Sequence, residues 1–170
     1  FFDPGRTFGG YGGDGNDTFS GGAQSDWIVG DAGNDLVNGG DGDDVVSGGD
    51  GIDWLVGDAG NDAIWAGANN DVIAGGTGGD YLFGEAGQDL VYGGDGDDVA
   101  LVGRNDGQDI IFGEAGLDTL YFYDRQSTEN FILLPANGGY ATIIFADGNF
   151  TSFLGIEWLQ FADRGWAIVS

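Results

Sequence analysis

The sequence predicts an all-β fold made of stacked repeats. Three observations carry this: a nine-residue period, an apolar residue at one fixed place in it, and glycine concentrated in the remainder. From Gly12 the chain divides into GGDGNDTFS, GGAQSDWIV, GDAGNDLVN, GGDGDDVVS, GGDGIDWLV, GDAGNDAIW, AGANNDVIA, GGTGGDYLF, GEAGQDLVY and GGDGDDVAL. VGRNDGQDIIF follows at 102–112, two residues too long, and GEAGLDTLY closes a series of twelve at Tyr121.

The sixth position is aspartate in every unit: Asp17, Asp26, Asp35, Asp44, Asp53, Asp62, Asp71, Asp80, Asp89, Asp98, Asp109 and Asp118. At the eighth position stand Phe19, Ile28, Val37, Val46, Leu55, Ile64, Ile73, Leu82, Val91, Ala100, Ile111 and Leu120, all apolar. Three residues centred on the eighth position suit a short strand with its middle side chain inward. The other six must then reverse the chain. Glycines at the first, second and fourth positions permit positive φ and close stacking of turns. Of the glycines that open units, nine are taken as candidate site residues: Gly12, Gly21, Gly30, Gly39, Gly48, Gly57, Gly75, Gly84 and Gly93. Carbonyls released from strand pairing in these turns would point between stacked coils, where an acceptor without a donor is costly and a carboxylate beside it costlier still.

Over residues 12–121 these units resemble the G-G-x-G-x-D-x-U-x nonapeptide of the RTX (repeat-in-toxin) family, a pattern associated with Ca2+. The resemblance implies a parallel β-roll, a β-solenoid with two repeats per coil and about six coils, with calcium in the turns. Ca2+ takes six to eight oxygens, mixing carboxylates with carbonyls, more than one turn supplies. An ion between a turn and the turn two units later would draw an aspartate from each, pairing Asp17 with Asp35, Asp26 with Asp44 and so on. The repeat aspartates and the nine opening glycines are therefore the expected metal site. Six turns on each edge leave five gaps, or about ten sites, and about 8–10 ions are expected. Ten would offset roughly 20 units of the net charge of −25. An EF-hand would need a helix-flanked loop ending in a bidentate Glu, and Mg2+ demands octahedral geometry and keeps its waters.

Composition narrows the function classes. At 170 residues the chain fits one domain or one long module, with 41% hydrophobic content set against 37 glycines and a net charge of −25. Such self-repulsion opposes compaction unless cations enter the folded state. Arg6, Arg104, Arg125 and Arg164 are the only basic residues, which excludes nucleic acid as a partner. With neither Cys nor His there is no disulfide framework, thiolate site, zinc-hydrolase site or Ser/His scheme. No catalytic residue is assigned, and the chain is read as non-enzymatic. It lacks Met and starts FFDPGRTFGGYGG, unlike a secretory signal peptide, so a processed chain or a piece of a longer one is expected. No apolar run reaches membrane-spanning length.

Some positions depart from the pattern. Gln24 replaces a fourth-position glycine, Ala66 and Asn69 replace two glycines in one unit, and Val102 with two extra residues disturbs another. Weaker or altered ion sites are expected near 21–26, 66–71 and 102–109. The outward seventh and ninth positions carry Trp27, Trp54, Trp65, Tyr81, Phe83, Tyr92 and Phe112. Trp27, Trp54 and Tyr81 are 27 residues apart, which suggests growth in three-unit blocks, and alternate units should place Trp27 and Trp54 on opposite faces. Three readings stand for these aromatics: strand-favouring residues partly covered by neighbouring parts of the protein, a surface for self-association or packing on another domain, and a sugar-stacking ladder.

Residues 1–11 are read as a lead-in and 122–170 as a β-rich cap of three to five short strands, with turns at Asn137-Gly138-Gly139 and Asp147-Gly148-Asn149. LGIEWLQFAD is similar to stretches that follow RTX repeats in proteins exported by type I secretion, and Asp163 to Val169 resembles the end of an uncleaved C-terminal secretion signal. The resemblance thus implies an extracellular, bacterial module that folds on calcium after export, with the type I secretion machinery as a partner. The alternative is an adhesin, surface-layer or polysaccharide-binding segment using the outer faces.

Overall fold

The computed structural model describes residues 7, 9–125, 131–134, 141–145 and 148–167. Within the repeat region lie β1 (Gly9–Asp14), β2 (Thr18–Gly22), β3 (Trp27–Ala32), β4 (Leu36–Asp41), β5 (Val45–Asp50), β6 (Trp54–Ala59), β7 (Ala63–Ala68), β8 (Val72–Thr77), β9 (Tyr81–Ala86), β10 (Leu90–Asp95), β11 (Val99–Val102), β12 (Ile110–Ala115) and β13 (Thr119–Phe122). The tail adds β14 (Phe131–Leu134), β15 (Ala141–Phe145), β16 (Phe150–Leu154), β17 (Trp158–Phe161) and β18 (Arg164–Ala167). From β1 to β14 successive strands alternate between two sheets, ordered β1-β3-β5-β7-β9-β11-β13-β17-β18 and β14-β15-β16-β12-β10-β8-β6-β4-β2. Pairing within the repeats is parallel, each strand lying against the strand two units on. The architecture is a parallel β-roll of about six coils, two units to the coil.

The strands are longer than the three residues expected. Most run six, taking in the seventh to ninth positions of one unit and the first three of the next. The ladder skips the first-position glycine and resumes after it, as in Trp27↔Val45, Ile28↔Val46, Val29↔Ser47 and then Asp31↔Gly49. That glycine forms the corner where the strand bends toward the turn. Positive φ belongs to the second and fourth positions, as at Gly40 (106°) and Gly42 (120°). Asp31, Asp58, Glu85 and Glu114 adopt it at second positions, where an L side chain is strained. Among the first three, spaced by 27 residues, the block period is thus a period in backbone strain as well.

Eighth-position side chains form two inward files. Ile28, Val46, Ile64, Leu82, Ala100 and Leu120 stack along one sheet, and Val37, Leu55, Ile73, Val91 and Ile111 along the other; all are buried. Both files continue into the tail. Phe153 on β16 follows Ile111, and Leu159 on β17 follows Leu120, in parallel register. Residues 150–161 therefore build one more coil, and beyond it both sheets turn antiparallel, with β15 against β16 and β18 against β17. Phe122, Phe145 and Phe161 close the core there, Phe122 stacking on Phe161 at 5.2 Å, with the buried Arg125 guanidinium 3.7 Å above the Phe145 ring.

At the other end β1 begins before Gly12, so Gly9, Gly10 and Tyr11 take the seventh to ninth positions of a unit that lacks the repeat signature. Five strands occupy the described part of the tail. Residues 1–6 of the lead-in, the turn expected at 137–139 and the last residues of the suspected secretion signal, 168–170, lie outside the described residues. No helix among the described residues is long and apolar enough to cross a membrane.

The single-file core makes each inward residue a contact for the coils on both sides. Ile64→Ala, fully buried between Val46 and Leu82, should cost about 2–5 kcal/mol in a denaturant titration with calcium present. A loss under 1 kcal/mol would show that the core file does not govern stability.

Candidate metal centre

The repeat aspartates from Asp26 to Asp118 are at most 4% exposed, an expensive placement for carboxylates. They form two ladders, one along each edge. On one edge the backbone N–H of Asp17 donates to Oδ1 of Asp35 (2.8 Å), Asp35 to Asp53, Asp53 to Asp71, Asp71 to Asp89, and Asp89 to Asp109 (3.1 Å). On the other, Asp26 donates to Asp44, then Asp44 to Asp62, Asp62 to Asp80, Asp80 to Asp98, and Asp98 to Asp118 (3.0 Å). The pairs expected from an offset of two units are thus in direct contact.

From Asp35 onward one oxygen of each carboxylate is used in this way. The other, Oδ2, is buried and accepts no hydrogen bond in Asp17, Asp35, Asp44, Asp53, Asp62, Asp71, Asp80, Asp89, Asp98 and Asp118. Its surroundings recur from coil to coil. A Cβ placed on Gly30 would collide with Asp35 Oδ2 and at 2.6 Å with the carbonyl oxygen of Gly48. Gly12, Gly21, Gly39, Gly48, Gly57, Gly75 and Gly93 face the same pair: Oδ2 of their own unit and the first-position carbonyl two units later. A carboxylate oxygen and a carbonyl oxygen therefore converge on a space that glycine leaves open, with no proton donor between them. Glycine is needed at this corner for room rather than for its φ.

Burial raises the carboxyl pKa values: Asp62, Asp71, Asp89 and Asp109 rise to about 7, and Asp44 and Asp98 to about 6. The N–H bond to Oδ1 works against this, and neighbouring carboxylates add to it. Such a set of oxygens suits a hard cation with many oxygen ligands. Among the described residues no three acidic side chains gather closely enough to hold an ion by themselves, so backbone carbonyls must complete any shell. The donor set fits calcium.

The three atypical units differ from one another. Ala66 and Val102 stand at first positions, and both are buried in the core, so a methyl and an isopropyl group occupy the corner that glycine leaves empty elsewhere. Gly21 keeps its open corner although Gln24 stands at the fourth position. The insertion shifts the pairing of β10 with β12 to a 20-residue offset and buries Asp106, which accepts from the Gly103 N–H.

The site takes in residues beyond the nine glycines and twelve aspartates. Gly113 has the same cradle, facing Asp118 Oδ2 and the Gly155 carbonyl. Glu157 receives the Asp118 N–H at 2.8 Å, in the place of a further aspartate; its signal is the acid–aromatic–apolar order of Glu157-Trp158-Leu159. A second clamp runs the other way at the fifth position. Asn34 N–H donates to Asn16 Oδ1, Ile52 to Asn34, Asn61 to Asp43, and Gly79 to Asn61, all at 2.8–2.9 Å. Recurrent Asn or Asp just before the repeat aspartate was the available sign.

A two-sheet parallel roll with buried aspartate ladders on both edges defines a class of repeat protein built around cations. The chain belongs to the RTX calcium-binding nonapeptide repeat family, whose model matches residues 11–46, 47–82, 67–100 and 105–122. Among solved structures it is similar to the AlgE6R3 subunit from the Azotobacter vinelandii mannuronan C5-epimerase, at 18% identity and a TM-score of 0.33, over 82% of this chain and 71% of that one. No curated protein matches.

Two expectations follow from the cradle. Gly30→Ala should remove one bound calcium per chain and cost about 1–3 kcal/mol, whereas Ala66→Gly should leave bound calcium undiminished; equilibrium dialysis with denaturant titration reads both. Equal calcium binding by wild type and Gly30→Ala would contradict the cradle. In chelator, pH acts through the raised carboxyls. The folded chain takes up protons near pH 6–7, the unfolded chain near 3.8, so the stabilisation is fully present below about pH 4 and lost as pH rises through 7. In chelator the β signal in circular dichroism should be greater at pH 5 than at pH 8, and the reverse order would refute the assignment.

Proposed function

We propose that this chain is a calcium-dependent folding module of a larger secreted bacterial protein, serving that protein's export, folding and stability. The observation that carries the reading is the row of buried Oδ2 atoms facing first-position carbonyls across a gap that glycine keeps open. Asp17, Asp35, Asp53, Asp71, Asp89 and Asp109 would hold ions on one edge, and Asp26, Asp44, Asp62, Asp80, Asp98 and Asp118 on the other. The carbonyls of the opening glycines complete the shells, with about 8–10 ions in all. Bound calcium supplies compact positive charge to an oxygen-rich, water-poor turn.

The chain's own residues explain the switch. Each aspartate's Oδ1 is fixed by the neighbouring coil, so ordering one turn places ligands for the next. Without cations the same carboxylates repel along both edges, and the net charge of −25 favours an extended chain suited to passage through a type I exporter. Outside the cell, affinities of about 10⁻⁴–10⁻³ M, usual for extracellular calcium modules, would close the roll. This reading assigns the chain no catalysis of its own. Circular dichroism in EDTA should show loss of β signal that returns in millimolar calcium; an unchanged spectrum would remove the proposal.

A second reading, an adhesive or polysaccharide-binding role, is favoured by the outer face of the sheet containing β6. Leu36, Trp54, Val72, Leu90 and Ile110 follow one another in register at its seventh positions, with Trp54 56% exposed. Trp27 lies on the opposite sheet, as does Trp65, which stacks on Phe83 at 5.0 Å. A chain that stays monomeric in calcium and gives no glycan-array signal would leave folding and export as its whole role.

A further inference from the structure

The repeat ends at Tyr121, yet the cradle geometry does not. Gly113 opens the twelfth unit, and a Cβ there would collide with Asp118 Oδ2 and with a carbonyl oxygen. In the interior that carbonyl comes from the first-position residue two units later. Here it comes from Gly155, 42 residues on and beyond two hairpin strands. Asp118 is 1% exposed and its Oδ2 accepts no hydrogen bond. Its N–H donates to Glu157 Oε2, as each earlier aspartate on this edge donates to the aspartate of the next coil. Beyond Glu157 the strand continues in register, Trp158 opposite Thr119 and Leu159 opposite Leu120. The tail thus reproduces the three parts of an interior cradle: the opened glycine corner, the buried carboxylate oxygen and the carbonyl of the following coil.

We infer that Gly113, Asp118, Gly155 and Glu157 form a calcium site joining the roll to its cap. The inference rests on the reading that the repeat aspartates hold calcium. Its chemistry is that of the interior sites, with one change. Glu157 is a methylene longer than aspartate and reaches the Asp118 N–H from a coil not built of nonapeptides. Two carboxylates and at least one carbonyl come from segments far apart in sequence, so an ion held between them ties the docking of 150–161 to the folding of the roll. Among the described residues no charged donor contacts the Asp118 carboxylate to take the ion's place: its Oδ1 accepts the neutral backbone N–H of Asp98 and its Oδ2 accepts nothing. The cap is then calcium-clamped: its last coil is ordered by the cation that orders the repeats, and it shields the final pair of strands only after that cation is present.

The experiment uses the full chain and its Glu157→Gln variant. The amide can still accept the Asp118 N–H, so the hydrogen bond survives while the charge is lost. Hydrogen exchange is followed along a calcium titration in two regions, 27–101 for the roll and 150–161 for the cap, and bound calcium is counted by equilibrium dialysis. In the wild type both regions should gain protection with calcium. In Glu157→Gln the cap midpoint should move to at least about five-fold higher calcium, the roll midpoint should stay within about two-fold, and one ion per chain should be lost. An unchanged cap midpoint, or a cap fully protected in chelator, overturns the inference. If neither region of the wild type responds to calcium, the proposed function itself fails; if the roll responds and the cap does not, only this inference fails. Should Glu157→Gln leave the cap unprotected at every concentration, Glu157→Asp decides. Protection regained at raised calcium supports the site, and none regained overturns it.

Discussion

Every coil of this protein is organised around one arrangement: a buried carboxylate oxygen set against a backbone carbonyl oxygen, with nothing between them to donate a proton. Two acceptors so placed repel, and in a folded chain that repulsion is tolerable only where a cation enters or the carboxyl takes up a proton. The raised pKa values of Asp62, Asp71, Asp89 and Asp109 express the cost of burying these carboxylates, to which neighbouring carboxylates add. The glycine corner expresses the geometric side of the constraint. A first-position Cβ would fill the gap, so the same residue that bends the strand also keeps the site open.

The remainder of the coil serves to place those two oxygens. From Asp35 onward Oδ1 of each aspartate is tied to the N–H of the aspartate one coil earlier, which fixes the rotamer and so the direction of Oδ2. The fifth-position clamp binds in the opposite sense, from the later coil's N–H to the earlier coil's side chain. Opposed clamps resist sliding of one coil over the next. They also explain why two extra residues at 102–109 do little damage. The loop absorbs them, and the Asp89-to-Asp109 and Asp98-to-Asp118 bonds form at an offset of 20 instead of 18. Where the corner glycine becomes Ala66 or Val102, the space passes to the hydrophobic core, so these coils exchange an open corner for packing.

Such a design is vectorial. The core is a pair of files one residue wide, so a coil is supported by its neighbours and by little else, as in other repeat proteins. The cap matters for that reason. Phe153 and Leu159 continue both files for one step, and Phe122, Phe145 and Phe161 then close them with larger rings. Antiparallel β15 and β18 take up edges that would otherwise template further pairing.

The sequence by itself determined the period, the inward files and the aspartate pairs, because a nine-residue repeat with two units per coil leaves those residues one spacing at which to meet. It also showed that Trp27 and Trp54 fall on opposite faces. What only the tertiary structure decided was how the oxygens are divided. Oδ1 goes to a backbone N–H and Oδ2 is left to the corner, and no spacing rule distinguishes two chemically equivalent atoms. Tertiary structure likewise set the role of the first glycine, which local propensity reads as a turn residue but which is extended and needed for clearance across coils. It alone brought Gly155 and Glu157 to the end of the ladder: their segment shares no period with the repeats, and its place is fixed by register against β13, through Leu159 and Leu120, rather than by any local signal.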